Sequence, residues 1–210
     1  MGLLAISDLA GFGDQEDHAV PPAHYEVLTG SEAACADGWE RVVEADRARA
    51  LAWIGAAVVK LRAYDGSQGA TRKALETHFH ATAPWFAKVI AWHLDKLQAV
   101  APLANYLCRD ASSGPCAPGG GLTGRLNEGL KSGGIAWAMW CLPFFRIRIC
   151  PGYFTSDSEW RVRALVHEWS HKYLCMLDVG YADQPGYESH SSFRNFFNAD
   201  SWSMLVYELQ

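Results

Sequence analysis

No run of apolar residues approaches the ~20 needed to cross a bilayer. The longest candidate, 135–145, is interrupted by Pro143, so a spanning segment is excluded and no membrane partner is expected. A basic excess is missing as well. With 18 Lys+Arg against 23 Asp+Glu the formal charge is −5, which offers no positive field to hold a phosphate backbone. Nucleic-acid binding is therefore not expected. No two of the six cysteines (Cys35, Cys108, Cys116, Cys141, Cys150, Cys175) stand in a C-x-x-C pair, so a zinc knuckle is not indicated. The even count permits three bridges, and Cys108 with Cys116, eight apart in a Gly/Pro/Ser-rich stretch, forms the natural local one. No internal repeat is visible. Gly119, Gly120 and Gly121 are neither preceded by a strand pattern nor followed by Lys-Ser/Thr, which argues against a phosphate loop. The first ten residues have no basic start and no long apolar segment, so we expect no secretory signal in them.

What is present is enough apolar material, 50% of 210 residues, for one sizeable core. Residues 1–35 mix Gly, Pro, Asp and His without a period and read as an irregular lead-in. From 41 to 64 the positions Val43, Ala50, Trp53, Ile54, Ala57, Val58 and Leu61 recur at three and four, an amphipathic helix. Further helices are expected over 71–80 and 85–100, with Pro84 tolerated in a first turn, and 109–121 reads as a loop. The period then changes. Phe145, Ile147 and Ile149 alternate with Arg146 and Arg148, as in a half-exposed strand. Ser156 followed by Glu159 predicts a capping box opening another helix. The expected fold class is α+β, with 36–210 as one domain: helices first, then a short sheet and a chemistry-bearing helix.

That last helix contains His167-Glu168-Trp169-Ser170-His171, an H-E-x-x-H string. Four residues at about 100° each leave two imidazoles about 40° apart on one face, one turn apart, which suits joint binding of one Zn²⁺. Glu168 follows the first histidine directly, placed to act as general base on a water rather than as a ligand. Composition alone would produce the string roughly 0.02 times in this chain, so it outranks the reading of two surface histidines. His78 and His80 cannot share a helical face, so they read as solvated, and His93 reads as a boundary histidine. The carboxy-terminal aromatics Phe193, Phe196, Phe197, Trp202 and Tyr207 read mostly as core.

A catalytic zinc needs a third protein ligand. Leu174 and Leu177 stand where the metzincin pattern requires Gly and His, which excludes that class. Glu188, Asp178 and Asp183 remain. On a continuous helix Asp178 would lie about 10 Å up the axis from His171, so it can serve only if the helix stops soon after His171.

H-E-x-x-H, then Asp178-Val179-Gly180-Tyr181, then Asn198-Ala199-Asp200-Ser201-Trp202, with Ile147 to Phe154 upstream, resembles the aspzincins, the deuterolysin and lysine-specific metalloendopeptidase group. The resemblance covers roughly residue 70 onward. It implies a zincin-like fold and one catalytic Zn²⁺ held by His167, His171 and Asp178, with Glu168 activating water and Tyr181 bonding the oxyanion. Asp200 would be a substrate-binding residue. The family's G-T-x-D-x-x-Y-G is not matched fully, because Cys175-Met176-Leu177 precede Asp178 and Ala182 follows Tyr181. A competing alignment takes Asp183 and Tyr187. Ser203 stands where lysine-specific members carry an acid, which counts against lysine specificity.

Three functions follow as expectations. The first is a monomeric zinc endopeptidase acting on a protein or peptide, secreted or exported by another route, as an effector or toxin would be. The others are an inactive zincin-like protein that binds a peptide or protein partner, and a zinc hydrolase of a non-protein amide. Metal content and chelator-sensitive cleavage of an unstructured protein separate them.

Overall fold

A computed structural model describes residues 25–27, 37–109, 116 and 136–210. Most of them are helical. Helix α1 (Trp39–Ala63) turns its apolar stripe inward, with Val43, Ala50, Ile54, Ala57 and Leu61 inaccessible to solvent. It packs on α3 (Pro84–Val100) and on α5 (Ser158–Leu174), while α2 (Gly69–Phe79) and α5 both pack against α7 (Ala199–Glu208). Two short helices complete the set, α4 (Pro151–Thr155) and α6 (Ser192–Phe196). The buried apolar side chains, from Trp39 to Leu209, join in one core.

Beside the helices lies a four-stranded sheet in the order β1-β2-β4-β3, formed by β1 (Tyr25–Val27), β2 (Tyr106–Cys108), β3 (Ala136–Trp137) and β4 (Ile147–Ile149). The β1–β2 and β2–β4 pairs are parallel, and β3 runs antiparallel to β4 at one edge. A parallel pair needs a long crossover, and α1 to α3 supply the one between β1 and β2. Trp169, wholly buried on α5, donates from Nε1 to the Tyr106 hydroxyl at 3.1 Å and so fixes α5 against β2. An α+β architecture is thus present.

Several expectations need correction. Tyr25–Val27 pairs as a strand inside the segment read as irregular, and Tyr106–Cys108 is a strand that residue pattern alone did not mark. Its three residues are all buried, so there is no alternation to read. The strand expected from Phe145 begins only at Ile147; Phe145 sits in a turn, with its N–H on Leu142 O, and is about half exposed. The helix after it is capped by Asp157, whose Oδ1 accepts from Trp160 N at 2.8 Å, whereas Ser156 Oγ donates backward to Gly152 O. The bridge expected between Cys108 and Cys116 does not form. Cys116 joins Cys150 at the end of β4, and Cys141 joins Cys175. Pairing follows the sheet and the helix end rather than nearness in sequence; Cys108 is also disulfide-bonded. His78 is buried rather than solvated, its ring held between the Tyr187 hydroxyl and Glu208. Of the carboxy-terminal aromatics, Trp202 is core but Phe193 is 74% exposed. The Gly119–Gly121 run lies outside the described residues, as does most of the 109–121 loop.

One buried ionic cluster ties the helices that carry the site to the rest. Asp46 on α1 accepts from Arg161 on α5 at 2.6 Å and from the Tyr153 hydroxyl on α4 at 2.9 Å. The bond to Asp46 raises the Arg161 guanidinium above its ordinary range, while burial, reinforced by Asp46, keeps the Tyr153 phenol protonated. Removing one member of a buried pair leaves its partner uncompensated. Asp46→Ala should therefore lower unfolding stability by about 3 kcal/mol or more, read by chemical denaturation. A loss under about 1 kcal/mol, the value of an exposed pair, would show that the cluster contributes little.

Candidate metal centre

Helix α5 presents His167, Glu168 and His171 to a partly enclosed recess, all three largely buried. Its end is the decisive local event. The helix stops at Leu174, and Cys175 adopts a left-handed conformation (φ 57°). Cys175 N–H returns to Ser170 O, the six-residue closure, and Met176 N–H shares the same carbonyl at 3.1 Å around the left-handed residue. The chain thereby doubles back, and Met176 O reaches His171 Nδ1 at 2.7 Å. A carbonyl only accepts, so Nδ1 is the donor in this bond, which leaves Nε2 as the ring atom that faces away from it.

Two residues further on, Asp178 Oδ1 lies 3.1 Å from His167 Nε2 and 3.2 Å from His171 Nε2, and the two Nε2 atoms are 2.9 Å apart. Among the described residues this is a group whose ligand atoms could hold a metal ion. Bonds of 2.0–2.1 Å around a tetrahedral zinc would set such atoms ~3.3 Å apart. The observed triangle is close to that size. Burial pulls the His167 imidazole down, but its contacts with Asp178 and Asp200 overcome this and hold it well above its ordinary value. Burial likewise opposes ionisation of Asp178, and the two histidines reverse it and hold the carboxyl far below the usual range. Three acceptor-bearing atoms facing one point thus lean on a proton where a divalent cation would serve all three.

Glu168 points into the same recess. Burial pushes its carboxyl up while His171 and His167 pull it back, and the Ala138 backbone N–H, just past β3, also bonds it. Its Oε2 is buried with no hydrogen-bond partner. An orphaned carboxylate oxygen beside three convergent ligand atoms fits a group that waits for a water. The donor set, two imidazoles and one carboxylate, is one that zinc and the other imidazole-binding divalent ions accept.

The structure brings His167, His171, Glu168, Asp178 and Tyr181 together. The Tyr181 ring stacks on His167 (centroids 5.8 Å apart, planes 11° from parallel), and its hydroxyl donates to Asp178 Oδ1 at 3.2 Å. Burial and the nearby Asp178 and Glu168 carboxylates push its phenol up, so it stays a donor. Asp183 and Glu188 are exposed and outside the group. Tyr187 is buried in the wall, bonded to His78 Nδ1 at 3.1 Å and to Ser201 Oγ at 2.9 Å. Asp200, expected at the substrate, is only 5% exposed and sits behind His167, with Oδ1 3.8 Å from Nδ1 and Oδ2 accepting from Ala182 N at 2.6 Å. Its oxygens are spent on orienting protein groups. Sequence reasoning missed Met176 O, because a backbone carbonyl has no signature. It also missed the Cys141–Cys175 bridge, although a cysteine four residues past His171 marked where the helix could end.

No family model matches the chain, and the comparison with curated proteins finds no relative.

The two aspartates give a matched test. Asp178→Ala should weaken zinc affinity by more than about 100-fold, beyond what loss of an outer partner causes, whereas Asp183→Ala should leave it within about twofold, as expected of an exposed residue away from the site. Competition titration with a chromophoric chelator measures both. Loss of zinc only in the Asp183 variant would overturn the assignment.

Proposed function

We propose that this chain is a zinc-dependent endopeptidase of the aspzincin kind, built on a zincin-like fold and acting on an extended segment of a protein or peptide. The observation that carries the reading is the convergence of His167 Nε2, His171 Nε2 and Asp178 Oδ1 within 3.2 Å of one another, beside the unpartnered Glu168 Oε2. A zinc ion there would lower the pKa of a water and polarise a carbonyl.

The protein's own residues do the rest. The Met176 carbonyl and Asp200 hold the two imidazoles with their Nε2 atoms inward. Glu168 Oε2 takes a proton from the attacking water and can return it to the leaving amine, since burial raises its affinity for that proton. Tyr181, kept protonated, turns its O–H from Asp178 to the oxyanion that forms at the scissile carbonyl. Asp200 has no free oxygen for a basic side chain and Ser203 bonds it from within, so a lysine-directed pocket has no support at this position. The two described disulfides support folding in an oxidising compartment, in keeping with an exported enzyme.

Glu168→Gln should keep one zinc per chain by elemental analysis and retain the fold, while cleavage of an unstructured protein such as reduced casein falls at least ~100-fold, the usual share of a general base. Retention of more than about a tenth of wild-type turnover would remove Glu168 from that role. Metal-free wild type that cleaves at the full rate would sink the proposal as a whole.

A further inference from the structure

Asn198 stands at the amino-terminal cap position of α7, where an asparagine side chain normally accepts from the first helical amides. Here it does not cap. Fully buried, it turns both polar atoms toward the ligand loop instead. Its Oδ1 accepts from Val179 N at 3.0 Å and Gly180 N at 3.3 Å, and its Nδ2 donates to Gly180 O at 2.8 Å and Ser201 Oγ at 3.1 Å. The residues on either side add a backbone clamp: Leu177 N donates to Phe197 O at 2.7 Å and Ala199 N to Leu177 O at 2.9 Å. The segment immediately after Asp178 thus has its backbone polar groups satisfied by one side chain from 18 or more residues away. From outside, His190 presses on the same segment, since a Cβ on Gly180 would meet its Cε1 at 2.6 Å.

From this geometry we infer that Asn198 is a positioning residue for the third metal ligand, setting where the Asp178 carboxylate stands relative to the two histidines. The inference rests on the metal reading above. Asp178 is more than a third exposed on its side chain and lies in a segment without regular structure, so no helical backbone fixes its main chain. The Asn198 amide is the group that stands in for a helix or strand at residues 179 and 180, directly after Asp178. Its worth is therefore realised in metal affinity, beyond whatever it adds to folding.

The test is a cycle of Asn198→Ala and Asp178→Ala, read with Zn²⁺ and with Co²⁺ alone, whose visible absorption reports ligand geometry. In the wild-type background Asn198→Ala should weaken zinc binding on the order of 10–100-fold, as loss of an outer-shell partner does, and shift the Co²⁺ spectrum toward that of Asp178→Ala. In the Asp178→Ala background the same change should alter the residual affinity by less than about twofold, because the ligand it positions is gone. Asn198→Ser, which leaves a cap-competent hydroxyl, provides the measurement if Ala does not fold, and should show the same dependence on background. Equal weakening in both backgrounds, or no weakening in the first, would overturn the inference. Wild-type protein that takes up no stoichiometric zinc would instead remove the metal reading on which it stands.

Discussion

The helix that carries both histidines has to end three residues after the second one, and the rest of the site depends on that stop. A continuous α5 would send Asp178 up its axis, about 10 Å from His171. With the chain reversed at Cys175, one turn of backbone yields both the carbonyl that orients His171 and the carboxylate that faces the two Nε2 atoms. The reversal is held from three directions: the Cys141–Cys175 bridge, the Trp140 indole on Cys175 O, and Cys141 N–H on His171 O. The segment 138–145 thereby lies over the helix end, and Lys172, whose ammonium is pushed down to about 8 by burial, donates to Phe145 O at its far side. The position of the Asp178 carboxylate is thus a property of packing around a helix terminus.

Much of this was legible in the residues. The three-and-four spacing of Val43 to Leu61 located α1, and Ile147 with Ile149 located β4 though not its start, because in both cases the period of the chain and the direction of burial coincide. The H-E-x-x-H string named three recess residues because side chains at that spacing lie on one side of any helix. The remainder depended on contacts that spacing does not encode. A three-residue strand such as Tyr106–Cys108, buried throughout, shows no alternation. Ser156 and Asp157 are both good caps, and the side chain that reached the free amides was the one without a competing acceptor at Gly152. Asp178 could be told from Asp183 only once the end of α5 was known, since no residue between Lys172 and Leu177 forbids a helix.

Buried polarity in this protein is concentrated where elements must meet at fixed angles. Asp46, Arg161 and Tyr153 join α1, α4 and α5. His78, Tyr187, Ser201 and Asn198 form a second connected series that runs from α2 through the start of α7 to the ligand loop. Such groups are costly to bury unless every member is satisfied, and a satisfied network tolerates little displacement. The aromatic cluster of Phe79, Phe86, His93, Phe196 and Trp202 fills the space beneath the second series with ring contacts of 5.4 to 6.2 Å. Rigid rings below and fixed hydrogen bonds above give α7 a single seat from which to reach residues 178–182.

The bridge between Leu177 and Asn198 joins positions about 20 residues apart, whereas the β1–β2 pairing joins Tyr25 to Tyr106, about 80 apart. Loop closure becomes more costly by roughly 0.6 kcal/mol for each doubling of length, so drawing the recess together costs about 1.2 kcal/mol less chain entropy than registering the edge of the sheet. The residues that could hold a cation are close neighbours along the polypeptide, and the parts that frame them are distant ones. Local contacts are the ones that speed folding, so the short-range pairing of Leu177 with Asn198 meets a lower entropic barrier than registration of β1 on β2.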